Sequence, residues 1–135
     1  MNPRFSAEVA GAFADDGLIP SSDLAAARTF REDASKRLDD LLDGRRMLCL
    51  PTSPILPINR NARLSDIRAA VHRIVDLTGI AGLTGLPQVS LPVARSGSIP
   101  VGLSLIGWRG GDAALVATAR TLAREFSIGL LEEPA

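Results

Sequence analysis

Apolar positions recur with a helical period in three stretches of the chain. From Leu24 to about Asp43, residues Ala27, Phe30, Ala34, Leu38 and Leu41 return every three or four positions, which predicts an amphipathic helix. Ser21-Ser22-Asp23 offers N-cap residues at its start, Gly44 stands where a glycine would end it, and Arg45-Arg46 lie near the negative end of its dipole. Leu64, Ile67, Val71, Ile74, Val75 and Thr78 mark one face of a second helix, with Ser65 as its cap. That helix runs into residues 79–85, where glycines fall every third position and suggest close backbone packing. Leu115, Val116, Ala119, Leu122, Ala123 and Phe126 face the core from a last helix, opened by Gly110-Gly111-Asp112. Ahead of these, Ala7 to Ala14 suits a short helix stopped by Asp15-Asp16-Gly17.

Between the helices the period changes. Met47 to Leu50 is apolar without alternation, which predicts a strand covered on both faces, and Pro51 to Pro57 holds three prolines and reads as an extended loop. Val89, Leu91 and Val93 alternate with Ser90, Pro92 and Ala94, and Val101, Leu103 and Leu105 with Gly102 and Ser104. The pair predicts a hairpin with a longer turn over residues 95–100, and Pro92 marks an edge or a bulge. Helix, strand, helix, hairpin, helix is an α/β order: a mixed sheet with a β-hairpin and helices layered on it. Residues 1–22 form a poorly defined N-terminal segment ahead of a domain over 23–135.

Composition narrows the functional classes. The 135 residues carry 15 basic and 15 acidic side chains, so no net positive charge draws a nucleic acid or an anionic membrane. With 46% hydrophobic and 22% charged residues the chain should fold. One Cys and one His build neither a disulfide framework nor, unaided, a metal site, so no metal and no cofactor is expected. No apolar stretch approaches a membrane span, and the first residues lack the apolar core of a signal peptide, so a cytoplasmic protein is expected. Arginine outnumbers lysine so heavily that any mechanism requiring a Lys has Lys36 as its one candidate.

No familiar constellation of catalytic groups is complete. Gly102-Leu103-Ser104 continues as Leu105-Ile106 and fails the nucleophile elbow. Lys36, among Asp33, Arg37, Asp39 and Asp40, has the setting of a solvated surface lysine, where an active one needs burial to lower its pKa. His72, between Arg68 and Asp76 at four-residue spacing, reads as an exposed histidine before a general base. The pairs Asp15-Asp16, Asp39-Asp40 and Glu132-Glu133 are adjacent and do not share a helix face. Gly79, Gly82 and Gly85 match no phosphate-loop spacing. Trp108 and Arg109, between a strand and a helix start, could line a ligand site or cover a core edge.

A longer pattern is recognisable. Gly82-Leu83-Thr84-Gly85-Leu86-Pro87-Gln88-Val89-Ser90-Leu91-Pro92-Val93 and Ile99-Pro100-Val101-Gly102-Leu103-Ser104-Leu105-Ile106-Gly107 resemble the carboxy-terminal part of the amidase signature family. Leu48-Cys49-Leu50-Pro51-Thr52-Ser53-Pro54 is similar to the family's strand and Pro-Thr segment, and Gly111-Asp112 with the helix to Phe126 takes the place of its closing helix. The resemblance, over about Asp23 to Ser127, implies part of an α/β/α fold and the hydrolysis of a carboxylic amide to acid and ammonia or amine. Family members use a Ser–cis-Ser–Lys triad from a Lys-containing block and a Gly/Ser-rich block. Neither block is present, since there is no Gly-Ser-Ser-Gly run and Lys36 lies in the wrong segment, so no catalytic residue carries over.

The resemblance therefore implies the C-terminal part of an amidase-like domain, inactive alone, that joins a chain carrying the catalytic part or associates with itself. In the family's pose Thr78, Gly79, Ile80 and Gly82 are the substrate-pocket candidates, nearer the catalytic centre than Lys36. Gly82-Leu83-Thr84-Gly85 departs from the Asn-Leu-Ala-Gly of many members, tRNA amidotransferase A subunits included, and Val75, beside Asp76, stands where those subunits hold a glutamine-binding acid. These departures weaken the amidotransferase reading, and Leu86-Pro87-Gln88-Val89-Ser90-Leu91-Pro92 resembles stand-alone amidases, which favours a stand-alone amidase over an A-subunit-like piece. The alternative from another class is a non-catalytic interaction module that keeps an amidase-derived fold.

Overall fold

The structure, a computed structural model, describes residues 4–6, 9–11, 14 and 19–126. Its elements are α1 (Ser21–Leu42), β1 (Leu48–Pro51), α2 (Leu64–Thr84), β2 (Gln88–Ser96), β3 (Ile99–Ile106) and α3 (Asp112–Glu125). The expected order of helix, strand, helix, hairpin and helix is the observed one. The chain divides into two compact units, Met1–Asp33 and Ala34–Ala135. In the first, Val9–Gly11 and Ala14 are helical, while the rest of the short helix expected over Ala7–Ala14 and the turn at Asp15-Asp16-Gly17 lie outside the described residues.

Three strands form the sheet of the second unit, ordered β1-β3-β2 and antiparallel throughout. Each strand sends alternate side chains to opposite faces, so the sheet has two separate apolar surfaces. On one, Ile106 is fully buried with Leu42, Ala81 and Leu86, and Leu38, Leu48, Leu50, Ile80 and Trp108 pack around them. On the other, Leu105 meets Leu115 and Ala119 of α3, with Met47, Val89, Leu91 and Leu122 beside them. Helices thus cover both faces. Each fully buried leucine or isoleucine stabilises such a layer by about 1.5–3 kcal/mol.

The strands correct two expectations. β1 is an edge strand, and its side chains alternate between half-buried (Leu48, Leu50) and exposed (Cys49, Pro51) instead of being covered on both faces. The hairpin turn is only Gly97-Ser98, since Ser96 pairs with Ile99. Gly97 has φ +62° and Ser98 a negative φ, the combination of a II′ turn, whose twist matches that of the strands. Pro92 behaves as expected on both counts: β2 is the other edge, and its register shifts between Leu91 and Ala94.

The helices begin and end for local reasons. The N–H groups of Asp23 and Leu24 both reach Pro20 O, so Ser21–Asp23 form the first turn of α1 where they were expected to precede it. At the other end Asp43 (φ +41°) and Gly44 (φ +75°) both turn left-handed, and the N–H groups of Arg45 and Arg46 close on Leu42 O. Arg46 Nη1 donates to Leu41 O at 3.0 Å, the complement to the helix dipole expected there. α2 starts at Leu64 after Arg63, whose guanidinium grips Asp66 at 3.0 and 3.2 Å; Ser65 Oγ bonds to Asp66 and does not cap the helix. α2 then continues through Gly79 and Gly82 as helix, up to Thr84. Gly85 (φ +68°) ends it, with its N–H on Ala81 O at 2.8 Å. On α3, Leu115 and Ala119 are buried as expected, whereas Val116 and Phe126 are exposed.

Candidate functional site

Thr52, the first residue beyond β1, is tied to the sheet by its N–H, which donates to Gly102 O at 2.9 Å. That bond turns its side chain to the face shared with Gln88, Ser90, Gly102 and Ser104, because strand alternation puts residues two apart on one side. Thr52 Oγ1 lies 2.5 Å from Ser90 Oγ and 2.9 Å from Ser104 Oγ. Gln88 Nε2 donates to Ser104 Oγ at 2.9 Å. Ser104 is wholly buried, and among the described residues no buried side-chain polar atom lacks a partner. The cluster closes tightly over Gly102, where an added Cβ would stand 2.6 Å from Thr52 Oγ1 and 3.0 Å from Ser90 Oγ.

Beside this cluster opens a cleft of about 390 Å³, lined by residues 52–57 of the loop, Ile74 of α2 and residues 100–102 of β3. Its walls are mainly apolar, and three of the lining residues are prolines that hold the backbone extended. The loop is shaped by Ser53, whose Oγ donates to Ile55 O at 2.7 Å and accepts from Ile55 N–H at 3.3 Å. Thr52 and Gly102 belong both to the cluster and to the cleft wall.

The four pocket candidates all sit on the last turns of α2. Thr78 is half-buried, its hydroxyl donating to Ile74 O at 3.0 Å, one turn from the α2 residue that lines the cleft. Ile80 packs against the core of the α1–α2 side. A Cβ on Gly79 would make ordinary contact with Val75 at 3.6 Å, and one on Gly82 would meet nothing within 4 Å. Close packing within the described residues therefore explains neither glycine.

Other candidates take structural places. Lys36 Nζ donates to Asp40 Oδ2 at 2.7 Å, both groups exposed, and this hydrogen bond and the carboxylate's charge raise the pKa of the ammonium. A base for nucleophile activation needs the opposite shift. His72 is exposed, as expected. Trp108 packs at the core edge and against Gly111, and Arg109 reaches Thr84 O, Gly85 O and Asp39. Among the described residues no group of three His, Cys, Asp or Glu side chains is placed to hold a metal, and no helix is long and apolar enough to cross a membrane. Reading by residue type missed the hydroxyl cluster. Its available signal was the strand alternation, which already put Ser90, Gly102 and Ser104 off the Val89–Leu105 face.

A small antiparallel sheet layered by helices, with its polar groups gathered beside one apolar cleft, defines the class of fold. The chain matches no family profile. It is 30% identical over 96 residues to Amidase 1 of Arabidopsis thaliana, which covers 71% of this chain and 23% of that protein. It is 36% identical over 73 residues to the A subunit of glutamyl-tRNA(Gln) amidotransferase from Methanothermobacter thermautotrophicus, over 54% of this chain and 16% of that protein. The crystal structure of the corresponding A subunit from Thermotoga maritima superposes with a TM-score of 0.70 at 26% identity, over 91% of this chain and 28% of that one. The chain is thus a segment of the amidase signature family, and it spans less than a third of the length of these relatives. Relatives named as amidases and as amidotransferase subunits both stand in this range.

Proposed function

We propose that the chain builds one wall of an amide-hydrolysing cleft and leaves bond breaking to a stretch bearing the Lys-containing and Gly/Ser-rich blocks. One observation carries this reading. Thr52, Ser90 and Ser104 come from three separate blocks of the family pattern and meet in one hydrogen-bonded cluster at the cleft wall. The reaction would be hydrolysis of a carboxylic amide to acid and ammonia or amine, and the wording of residues 86–92 favours a stand-alone amidase. The pocket would continue from Ile74 along α2 past Thr78, Gly79, Ile80 and Gly82. A cytoplasmic setting suits the single unpaired Cys49.

The same reading makes the chain inactive alone. Ser104 is consumed by hydrogen bonds inside the sheet and Lys36 is held charged by Asp40, so neither supplies an activated nucleophile or its base. The test is hydrolysis of phenylacetamide by the purified chain, alone and mixed with the catalytic part of an amidase ending before the matched blocks. Activity only in the mixture is the expected result. Turnover by the chain alone that follows it through purification would overturn the reading. Failure of the two parts to associate, with no such blocks in frame ahead of the Met1 codon, would favour the interaction module.

A further inference from the structure

The hydroxyl cluster can be read hydrogen by hydrogen. Ser104, Thr52 and Ser90 bring three hydroxyl hydrogens, and the two links Ser104–Thr52 and Thr52–Ser90 use two. At the inner end the Gln88 amide N–H is a donor only, so it occupies a lone pair of Ser104 Oγ and takes up no hydrogen. Ser104 is fully buried, and an unpaired hydrogen there would carry the whole desolvation penalty, so Ser104 donates to Thr52. The remaining hydrogen emerges at the outer end, on Thr52 or on Ser90.

Thr52 brings that end into a cleft with a definite chemistry: Ser90 stands outside the lining, and an acceptor bound beside Thr52 takes its hydrogen while Ser90 donates to Thr52. Thr52 lines it, and Ile55, Leu56, Ile74 and Val101 make its walls without any Lys, Arg or His among the lining residues. An ionised carboxylate would lose water there and gain no counter-charge, whereas a neutral carbonyl needs only one donor. We infer that the Gln88–Ser104–Thr52–Ser90 chain presents one oriented hydroxyl hydrogen in the cleft, as a donor to the carbonyl oxygen of an uncharged, largely apolar amide. This rests on the cleft being the ligand site, as proposed above.

The direction of the chain is set at Gln88, outside the cleft, and this makes the inference testable. In Gln88→Glu the carboxylate only accepts, so Ser104 donates inward, Thr52 donates to Ser104 and Ser90 to Thr52. All three hydrogens are then used and none is left for a ligand. Thr52→Val removes the central link with little change of shape. The experiment is an amide chemical-shift titration of the full chain and both variants with phenylacetamide, phenylacetate and ethylbenzene at pH 7. In the unsubstituted chain all three shift the backbone signals of Thr52 and Gly102, with phenylacetamide about three- to tenfold tighter than phenylacetate. Both variants weaken phenylacetamide by about the same factor and leave ethylbenzene unchanged, which certifies the intact cleft. Equal affinities for amide and carboxylate, or variants that keep phenylacetamide affinity while ethylbenzene still binds, would overturn the donor. Failure of both phenylacetamide and ethylbenzene to shift these signals would instead overturn the cleft as the ligand site.

Discussion

Arg109 Nη2 donates to the carbonyl of Thr84 at 2.9 Å, so the loop that leaves β3 closes the last turn of α2. Its Nη1 reaches Gly85 O at 3.3 Å, and Nη2 also meets Asp39 Oδ2 at 3.3 Å. A guanidinium here satisfies helix-end carbonyls that would otherwise turn to water, and its charge faces the negative end of the dipole. The side chain is half exposed, which screens the contribution. Arg109→Ala is expected to lower unfolding stability by about 1 kcal/mol, and Arg109→Lys to recover only part of it, because an ammonium lacks the fork that spans two carbonyls. Urea titration of the three proteins decides this; equal midpoints would remove Arg109 from the account of α2.

Two glycines give opposite expectations for the same substitution. Gly102→Ala drives a methyl group into Thr52 Oγ1, which is anchored by Ser90 and Ser104 and cannot retreat without breaking the cluster. A loss of about 1–3 kcal/mol is expected. Gly82→Ala sits in the last turn of α2 with nothing within 4 Å of the new atom, so a gain in helix propensity of up to about 1 kcal/mol should appear as added stability. Thermal unfolding of the two variants should therefore shift in opposite directions.

The period along α1 placed a core face on the helix, but Ala27 and Phe30 of that face are exposed and the residue chosen to end it is the wrong one. Leu41 completes the spacing from Leu38 and is 49% exposed, while its neighbour Leu42 is 1% exposed and joins Ile106 and Ala81. Local spacing cannot resolve this, because the choice depends on where the left-handed turn at Asp43-Gly44 returns the chain to the sheet. Leu42→Ala should cost about 2–4 kcal/mol and Leu41→Ala less than about 0.5 kcal/mol in denaturant unfolding. The order of elements, the hairpin and the edge at Pro92 were legible because each rests on neighbouring residues. The one-sided burial of β1 was not, since a four-residue apolar run looks the same at an edge and in a covered strand. The cleft cluster joins residues 38 and 52 positions apart, and no local pattern reports such contacts.

Lys36 offers a pH test. Its pKa is raised by the hydrogen bond and charge of Asp40, so its pairing is complete below its ordinary value of 10.5 and is lost as pH rises through the raised one. The pair is fully exposed, and exposed pairs of this spacing contribute little. Lys36→Gln should leave the unfolding midpoint at pH 7 unchanged and abolish only whatever loss occurs above pH 10.5. A large drop at neutral pH would mean that Lys36 does more than pair with its neighbour.

β1 carries the last expectation, association. The N–H of Thr52 points at β3, so the two-residue alternation turns the N–H groups of Leu48 and Leu50 the same way and leaves that of Cys49 on the open edge, followed by Pro51, which has no N–H. Among the described residues no strand pairs along that edge, and Cys49 is exposed. An unpaired edge with no net charge to repel a partner favours association, and Pro51 limits it to one donor, a weak template for another copy of the same strand. A catalytic part that supplies its own strand would do better, since it would also cover the exposed Val71 and Val75 of α2 if it reached the cleft. A thiol reagent should therefore modify Cys49 rapidly in the chain alone and at least about tenfold more slowly once the catalytic part is added, because blocked access cuts the attack rate directly. Sedimentation of the chain alone should show weak, concentration-dependent self-association. A strictly monomeric chain whose Cys49 reacts at the same rate in the mixture would make β1 a finished edge and the chain a self-sufficient domain.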